Sequence, residues 1–408
     1  VSFFGKLWAQ KRFGSALAFR VIARFAGSLG QAGFLILLAR ELGPAEFGIV
    51  AIVLSVGYIV SAFTSFGTGV RVLRLAAETD SQRTATKFLY MRITGTALTA
   101  VICSTMVFAA SPTSTLIAVS MIASDQVVDY AQAYLAGTNR QIKSSLVVIF
   151  QRLIPFMVIG SASLASFFSG ELIMISFLST LICGLLIPLR ERAKSVRYWS
   201  KDTWSELKGS TGYWMSSLAP NIGQLQAPAL GLVVDAASVG LFAIAARLTN
   251  PLSILVGALQ TLLMPELARR RGTARFRTLY RASVSASAAY GLALCLSAWL
   301  ITDIAILLLG RDYESARWLI IGMIIASGMS AVSQAFQSKL LAEGRAAVVA
   351  WIVGTGSSIG LAALVVIVAL GGMPWLWVSP IVAQAIIAVG LASSANAALP
   401  RVGRHSNH

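Results

Sequence analysis

Along the chain, long apolar runs alternate with short polar and basic segments, and the runs recur at nearly even spacing. A helix needs roughly 20 apolar residues at a rise of 1.5 Å to cross a hydrocarbon core about 30 Å thick. Twelve runs fit that length: 17–39, 46–67, 88–110, 114–136, 144–166, 170–189, 212–234, 238–264, 282–302, 317–338, 346–370 and 374–398. They predict an all-α integral membrane protein of twelve transmembrane helices, with no room between them for a soluble domain. The basic, amphipathic start "VSFFGKLWAQKRFGSALAFR" reads as an interfacial segment leading into the first helix and retained in the mature protein.

Polar positions set the orientation. Of 33 Lys and Arg, only Arg40, Arg311 and Arg317 fall in or beside one set of alternate loops, and Arg24, Arg152 and Arg247 lie within runs. The remainder, counting basic residues at the span ends that face those loops, gather in the other set, which predicts that both termini are cytoplasmic. The longest basic connection, "RERAKSVRYWSKDTWSELK" at 190–208, falls near the middle of the chain. It divides the sequence into two six-helix lobes, 1–205 and 206–408.

The lobes share a pattern. "GQAGFLILLARELGPAEFGIVAI" from Gly30 and "GQLQAPALGLVVDAASVGLFAI" from Gly223 both lead, after nearly equal spacing, to a second glycine, Gly48 or Gly240. Further on, "QAYLAGTNR" from Gln132 matches "QSKLLAEGR" from Gln337. Two matches in the same order, in halves with an even number of spans, predict a parallel repeat around a central cavity.

Composition narrows the class. Hydrophobic residues make up 56% of the 408 positions and charged residues only 12%, against about 25% charged in soluble domains. The net charge of +17 lies in loops between spans rather than on a soluble face, so it excludes nucleic acid as the partner. Cys103, Cys183 and Cys295 stand singly in apolar runs and read as buried small residues, and His405 and His408 are in the tail. That leaves no spacing for a metal site and no histidine base within the membrane, so neither a catalytic residue nor a cofactor is expected.

Several spans nevertheless carry polar residues at helical spacing. Arg20, Arg24 and Gln31 share one face of the first span, and Ser217, Asn221, Gln224 and Pro228 one face of the seventh. Asp125, Asp129 and Gln132 stripe the fourth, and Ser327, Ser330, Gln334 and Gln337 the tenth. Two readings stand for these stripes: the walls of an aqueous cavity, or hydrogen bonds between packed helices. Likewise Arg20 is placed either in the cavity or snorkelling at the interface, and Asp125 and Asp129 either carry a coupling ion or neutralise Arg24 or Arg152. Asn250 with Pro251 marks either a cavity contact or a kink. Arg247 is hardest to dismiss, because an arginine at a span centre costs about 2.5–3.5 kcal/mol and its own span holds no acidic residue.

The order "LLARELGPAEFGIVAI", "SFGTGVRVLRLA" and "VGLFAIAARLTNPLSILVGALQTLLMPELAR" resembles the polysaccharide-transporter family of oligosaccharide flippases, in the multidrug/oligosaccharidyl-lipid/polysaccharide superfamily. The resemblance implies a two-lobed transporter in the bacterial cytoplasmic membrane. It would move a polyprenyl-diphosphate-linked oligosaccharide from the cytoplasmic to the periplasmic leaflet for surface polysaccharide synthesis. It also implies membrane lipid, a polysaccharide polymerase and chain-length proteins as partners. Arg24 and Arg247 occupy places comparable to the cavity arginines of such flippases. Arg20, Gln31, Arg152, Asn221, Gln224, Asn250, Gln334 and Gln337 complete the expected cavity, with Asp125 and Asp129 as candidate ion-coupling groups. A cation-coupled multidrug exporter on the same fold is the alternative.

Overall fold

The computed structural model describes residues 3–65, 72, 82–107, 111–138, 140–190, 219–269, 273–343 and 345–396, and every regular element among them is helical. The central linker at 191–208, Ser217 and both tail histidines lie outside the described residues, as do the side chains of Arg20, Arg24 and Asn221.

Helix α1, Phe3–Thr64, covers the first two predicted spans and breaks once, at Gly43, where φ is 73° and ψ is 170°. That positive φ favours glycine, and Pro44 then supplies the fixed φ that suits the first turn of the second arm. Helices α2 (Gln82–Val107), α3 (Pro112–Gly137), α4 (Gln141–Leu164) and α5 (Gly170–Arg190) follow the next four predicted spans.

The seventh predicted span departs from expectation. Its described part is a 3-10 segment, Ala219–Leu225, followed by a short helix α6, Gln226–Gly231. Pro220, Gly223 and Pro228 account for this: each proline removes a backbone donor, and glycine favours irregular backbone. The i, i+4, i+7 face drawn there therefore does not hold, because a 3-10 turn takes three residues.

Helix α7, Ala236–Arg269, starts at Asp235, whose Oδ1 accepts from the Ser238 amide at 3.0 Å. Hydrogen bonds from the Ser238 side chain and backbone hold the Asp235 carboxyl below its usual range. This cap stabilises fully above the unfolded-state pKa and is lost as pH falls through the lower folded value. Then come α8 (Ala274–Leu309), a 3-10 turn Arg311–Ala316, α9 (Arg317–Ala342), α10 (Ala346–Gly371) and α11 (Val378–Asn396).

Six stretches among the described residues are long and apolar enough to cross a membrane: Phe25–Thr64, Ile142–Leu164, Ala274–Leu309, Arg311–Ala342, Ala347–Gly371 and Met373–Asn396. Their outer faces are apolar, as on α8, where Leu292, Leu296, Leu300 and Leu307 are exposed at helical spacing. A bilayer is the solvent that accepts such a face, and the chain is a multi-span membrane protein. Cys295 on α8 and Cys183 on α5 are exposed, and only Cys103 is buried, correcting the expectation for two of the three. Trp299, Trp318 and Trp377 form a ladder with ring centroids 5.9 and 6.5 Å apart, and Arg317 lies over Trp299 while pairing with Asp303 and Glu314. Amphipathic rings beside charges are the composition of a membrane–water interface.

The core is centred on α1 and α7, which meet through the two glycines that the sequence repeat paired. A Cβ on Gly48 would fall 1.8 Å from the Ala236 carbonyl oxygen, and one on Gly240 would fall 2.0 Å from that of Pro44. Each glycine thus meets the residue four positions before the other, the reciprocal contact that a two-fold relation produces. Polar bonds secure the same end of the molecule. Tyr313 donates to the Ala39 carbonyl at 2.8 Å, Ser163 to Glu41 at 2.6 Å, and Ser114 to Glu46 at 2.5 Å.

Candidate functional site: a polar cavity between α1, α3, α4 and α7

Seven residues beyond Gly48 lies Ser55, and seven beyond Gly240 lies Arg247, each about 10 Å deeper at 1.5 Å per residue. Both line a cavity of about 440 Å³, a volume within the range of about 300–1,000 Å³ usual for small-ligand sites. The second arm of α1 contributes Ser55 and Tyr58, its first arm Gln31, α3 Asp125 and Asp129, and α4 Arg152. The broken seventh segment contributes Gly223, Gln224 and Gln226, and α7 contributes Arg247 and Asn250. Irregular backbone at membrane depth is tolerated where it lines a cavity, and the 3-10 segment does so here.

The cavity has two unlike walls. On one, the buried Asp125 carboxylate is fully engaged: Oδ1 accepts from Gln151 Nε2 at 2.7 Å and lies 3.3 Å from Arg152 Nη1, and Oδ2 accepts from the Tyr58 hydroxyl. Gln151 is itself oriented by Gln132, whose Nε2 donates to Gln151 Oε1 at 3.2 Å. Asp129, one turn along α3, is an electrostatic neighbour of Arg92 and Arg152. On the other wall stands Arg247. Among the described residues no carboxylate lies within ion-pair distance of it and it makes no hydrogen bond, although Tyr58 and Asp125 are in electrostatic range.

Of the residues expected to form the site, Gln31, Asp125, Asp129, Arg152, Gln224, Arg247 and Asn250 come together. Gln334 and Gln337 are not part of this lining; α9 packs against α7, α8 and α11, and Gln334 Nε2 reaches Ser330 Oγ on its own helix at 3.5 Å. Arg20, Arg24 and Asn221 are the three whose side chains lie outside the described residues. Tyr58, Ser55, Gln151 and Gln226 were not anticipated. The repeat held the signal for two of them: the register that pairs Gly48 with Gly240 pairs Ser55 with Arg247 and Tyr58 with Asn250, and all four line the cavity.

Comparison with known proteins agrees with this architecture. Residues 37–318 match the polysaccharide biosynthesis protein family, and the chain belongs to it. No curated protein sequence matches it. Among solved structures, it is similar in fold to the lipid II flippase MurJ in an inward closed conformation, with TM-score 0.67 and 11% identity over 92% of this chain and 87% of that one. A mutant of the Vibrio cholerae MATE transporter VcmN gives TM-score 0.56 at 16% identity, over 94% and 96% of the two chains. A MOP superfamily transporter from Pyrococcus furiosus, described as having a binding pocket of reverse polarity, gives 0.54 at 13% identity over 93% and 94%. At these identities the likeness concerns the fold alone.

Proposed function

We propose that the chain is a flippase of the bacterial cytoplasmic membrane, with twelve spans in two six-helix lobes and cytoplasmic termini. It carries polyprenyl-diphosphate-linked oligosaccharide units to the periplasmic leaflet. The observation that carries this reading is Arg247, a cavity-lining cation with no carboxylate in ion-pair reach among the described residues, in a member of a polysaccharide biosynthesis family. A cation held in a partly desolvated cavity forms strong charge-assisted hydrogen bonds to phosphate oxygens. Gln31, Gln224, Gln226 and Asn250 offer amide groups to a sugar beside it. The lipid tail stays in the bilayer, where it costs nothing to solvate. A cavity of about 440 Å³ suits the diphosphate and its nearest sugar.

The drug-exporter alternative needs a free carboxylate for a cationic substrate. Asp125 is already committed to Arg152, Gln151 and Tyr58, which weighs against it. Complementation of a flippase-deficient strain tests the reading. Arg247→Ala should abolish polymer export while protein still accumulates in the membrane. Normal export by that variant, or efflux of cationic dyes in place of export, would reject it.

A further inference from the structure

The carboxylate at the centre of the paired wall is held in a way that lets one partner go. Asp125 is buried, with 4% of its surface exposed. It accepts from two neutral donors, Gln151 at 2.7 Å and Tyr58, and its contact with Arg152 is a single longer one of 3.3 Å to the Oδ1 that Gln151 already shares. The bidentate geometry of a strong arginine–carboxylate pair is missing. The Arg152 side chain is also the more exposed partner, at 21% against 6% for that of Asp125, and it lines the cavity. If Arg152 turned away, Asp125 would keep a hydrogen bond on each oxygen.

Arg247 stands in the same cavity with no hydrogen-bond or ion-pair partner among the described residues, and both arginines lie within electrostatic range of Tyr58. An anion entering the cavity therefore meets one free guanidinium and one that is loosely occupied.

We propose that Asp125 is a built-in stand-in for the ligand's anionic group: it neutralises Arg152 while the cavity is empty and yields that arginine to an incoming phosphate-class anion, which Arg152 and Arg247 then hold together. The inference rests on reading the cavity as an anion site. Its physical reason is charge balance. Two uncompensated arginines would make the empty cavity costly within a membrane, whereas two permanently paired ones would bind no anion. Gln151 and Tyr58 make the exchange affordable, because the released carboxylate is not left without donors. Gln132 supports this by fixing Gln151.

The charged and polar groups facing Asp125 are Tyr58 from α1, Arg152 from α4, Arg247 from α7 across the cavity, and Asp129 on α3 itself. From α2, Arg92 donates instead to the Gln126 carbonyl, and α5 presents the neutral Thr180 hydroxyl to Ser124.

The test is titration of inorganic pyrophosphate into the full-length chain in detergent or nanodiscs. Asp125→Asn keeps an acceptor for the neutral donors but removes the charge, so it should tighten pyrophosphate binding by about tenfold. Tyr58→Phe deletes a neutral donor, throws the carboxylate back onto Arg152, and should weaken binding about threefold. Opposite signs from two substitutions at one carboxylate are not what mere loss of packing produces. Binding that is unchanged or weakened in Asp125→Asn overturns the stand-in role alone. Failure of both proteins to bind pyrophosphate, or binding unaffected by Arg247→Gln, overturns the anion site and this inference with it.

Discussion

Helices α3 and α9 carry the two copies of one stretch of the sequence repeat, and the register that aligns Gln132 with Gln337 also aligns Asp125 with Ser330 and Asp129 with Gln334. Both present a polar stripe, yet the stripes behave differently. On α3 the polar groups bond to other helices: Asp125 to α1 and α4, Gln132 to α4, Ser124 to Thr180 of α5 at 2.6 Å, and the Gln126 carbonyl to Arg92 of α2 at 3.2 Å. On α9 the hydroxyls of Ser327 in the stripe and of Ser333 and Ser338 beside it turn back to carbonyls one turn earlier, at 2.8, 3.0 and 3.0 Å. Its bonds to other helices concentrate at its end, where Lys339 reaches the Ala395 carbonyl of α11 and the Tyr280 ring of α8. A carboxylate has no donor to find on its own helix and must recruit neighbours, whereas a serine is satisfied by its own turn. The chemistry of the stripe, and not its spacing, separates a cavity wall from a packed helix.

Exchanging residues between the two helices is the sharpest way to break this comparison. Ser330→Asp puts a carboxylate where the matching helix has one but without the Tyr58, Gln151 and Arg152 partners. It should cost about 2.5–3.5 kcal/mol and lower the amount of protein recovered from membranes. The reverse change, Asp125→Ser, leaves three donors short of an acceptor and should cost about 2 kcal/mol. It should also lower the melting temperature of the purified protein. If the two exchanges proved equally harmless, the asymmetry between the two helices would have no energetic content.

These helices also mark how far the sequence could be read. The break at Gly43–Pro44, the positions of the long helices and the convergence of Gln31, Asp125, Arg152, Gln224 and Arg247 follow from apolar period, proline and glycine, and the expense of charge in a bilayer. Tyr58 was hidden because a lone tyrosine in an apolar span looks like packing, and only its repeat partner Asn250 distinguishes it. Spacing put Gln334 and Gln337 on one face but could not tell whether that face met water or neighbouring helices. The 3-10 segment at Ala219–Leu225 was lost for a related reason: prolines and a glycine announce irregularity, but the local geometry is set by the cavity that the segment borders.

A smaller effect comes from the matched glutamines. Gln132→Leu removes the bond that orients Gln151 toward Asp125 and should cost about 1 kcal/mol while reducing polymer export several-fold. Gln337→Leu, outside the cavity lining, should leave export within about twofold. A larger loss from Gln337 than from Gln132 would move the working face of the molecule onto α9.

The smallest expected effect is also the most discriminating for α9. In Ser327 and Ser333 the hydroxyl bonds to Met323 and Met329 carbonyls that already accept from the helix's own amides. Replacing the hydroxyl by hydrogen therefore leaves no backbone group unsatisfied, and alanine has the better helix propensity. Ser327→Ala with Ser333→Ala should shift stability by no more than about 0.5 kcal/mol, measured by thermal unfolding in detergent. Polymer export should be unchanged. Should the double variant instead lose export at unchanged stability, these hydroxyls must leave their carbonyls during the cycle. The α9 stripe would then be a cavity wall in a second conformation, with the self-bonded state as its resting form.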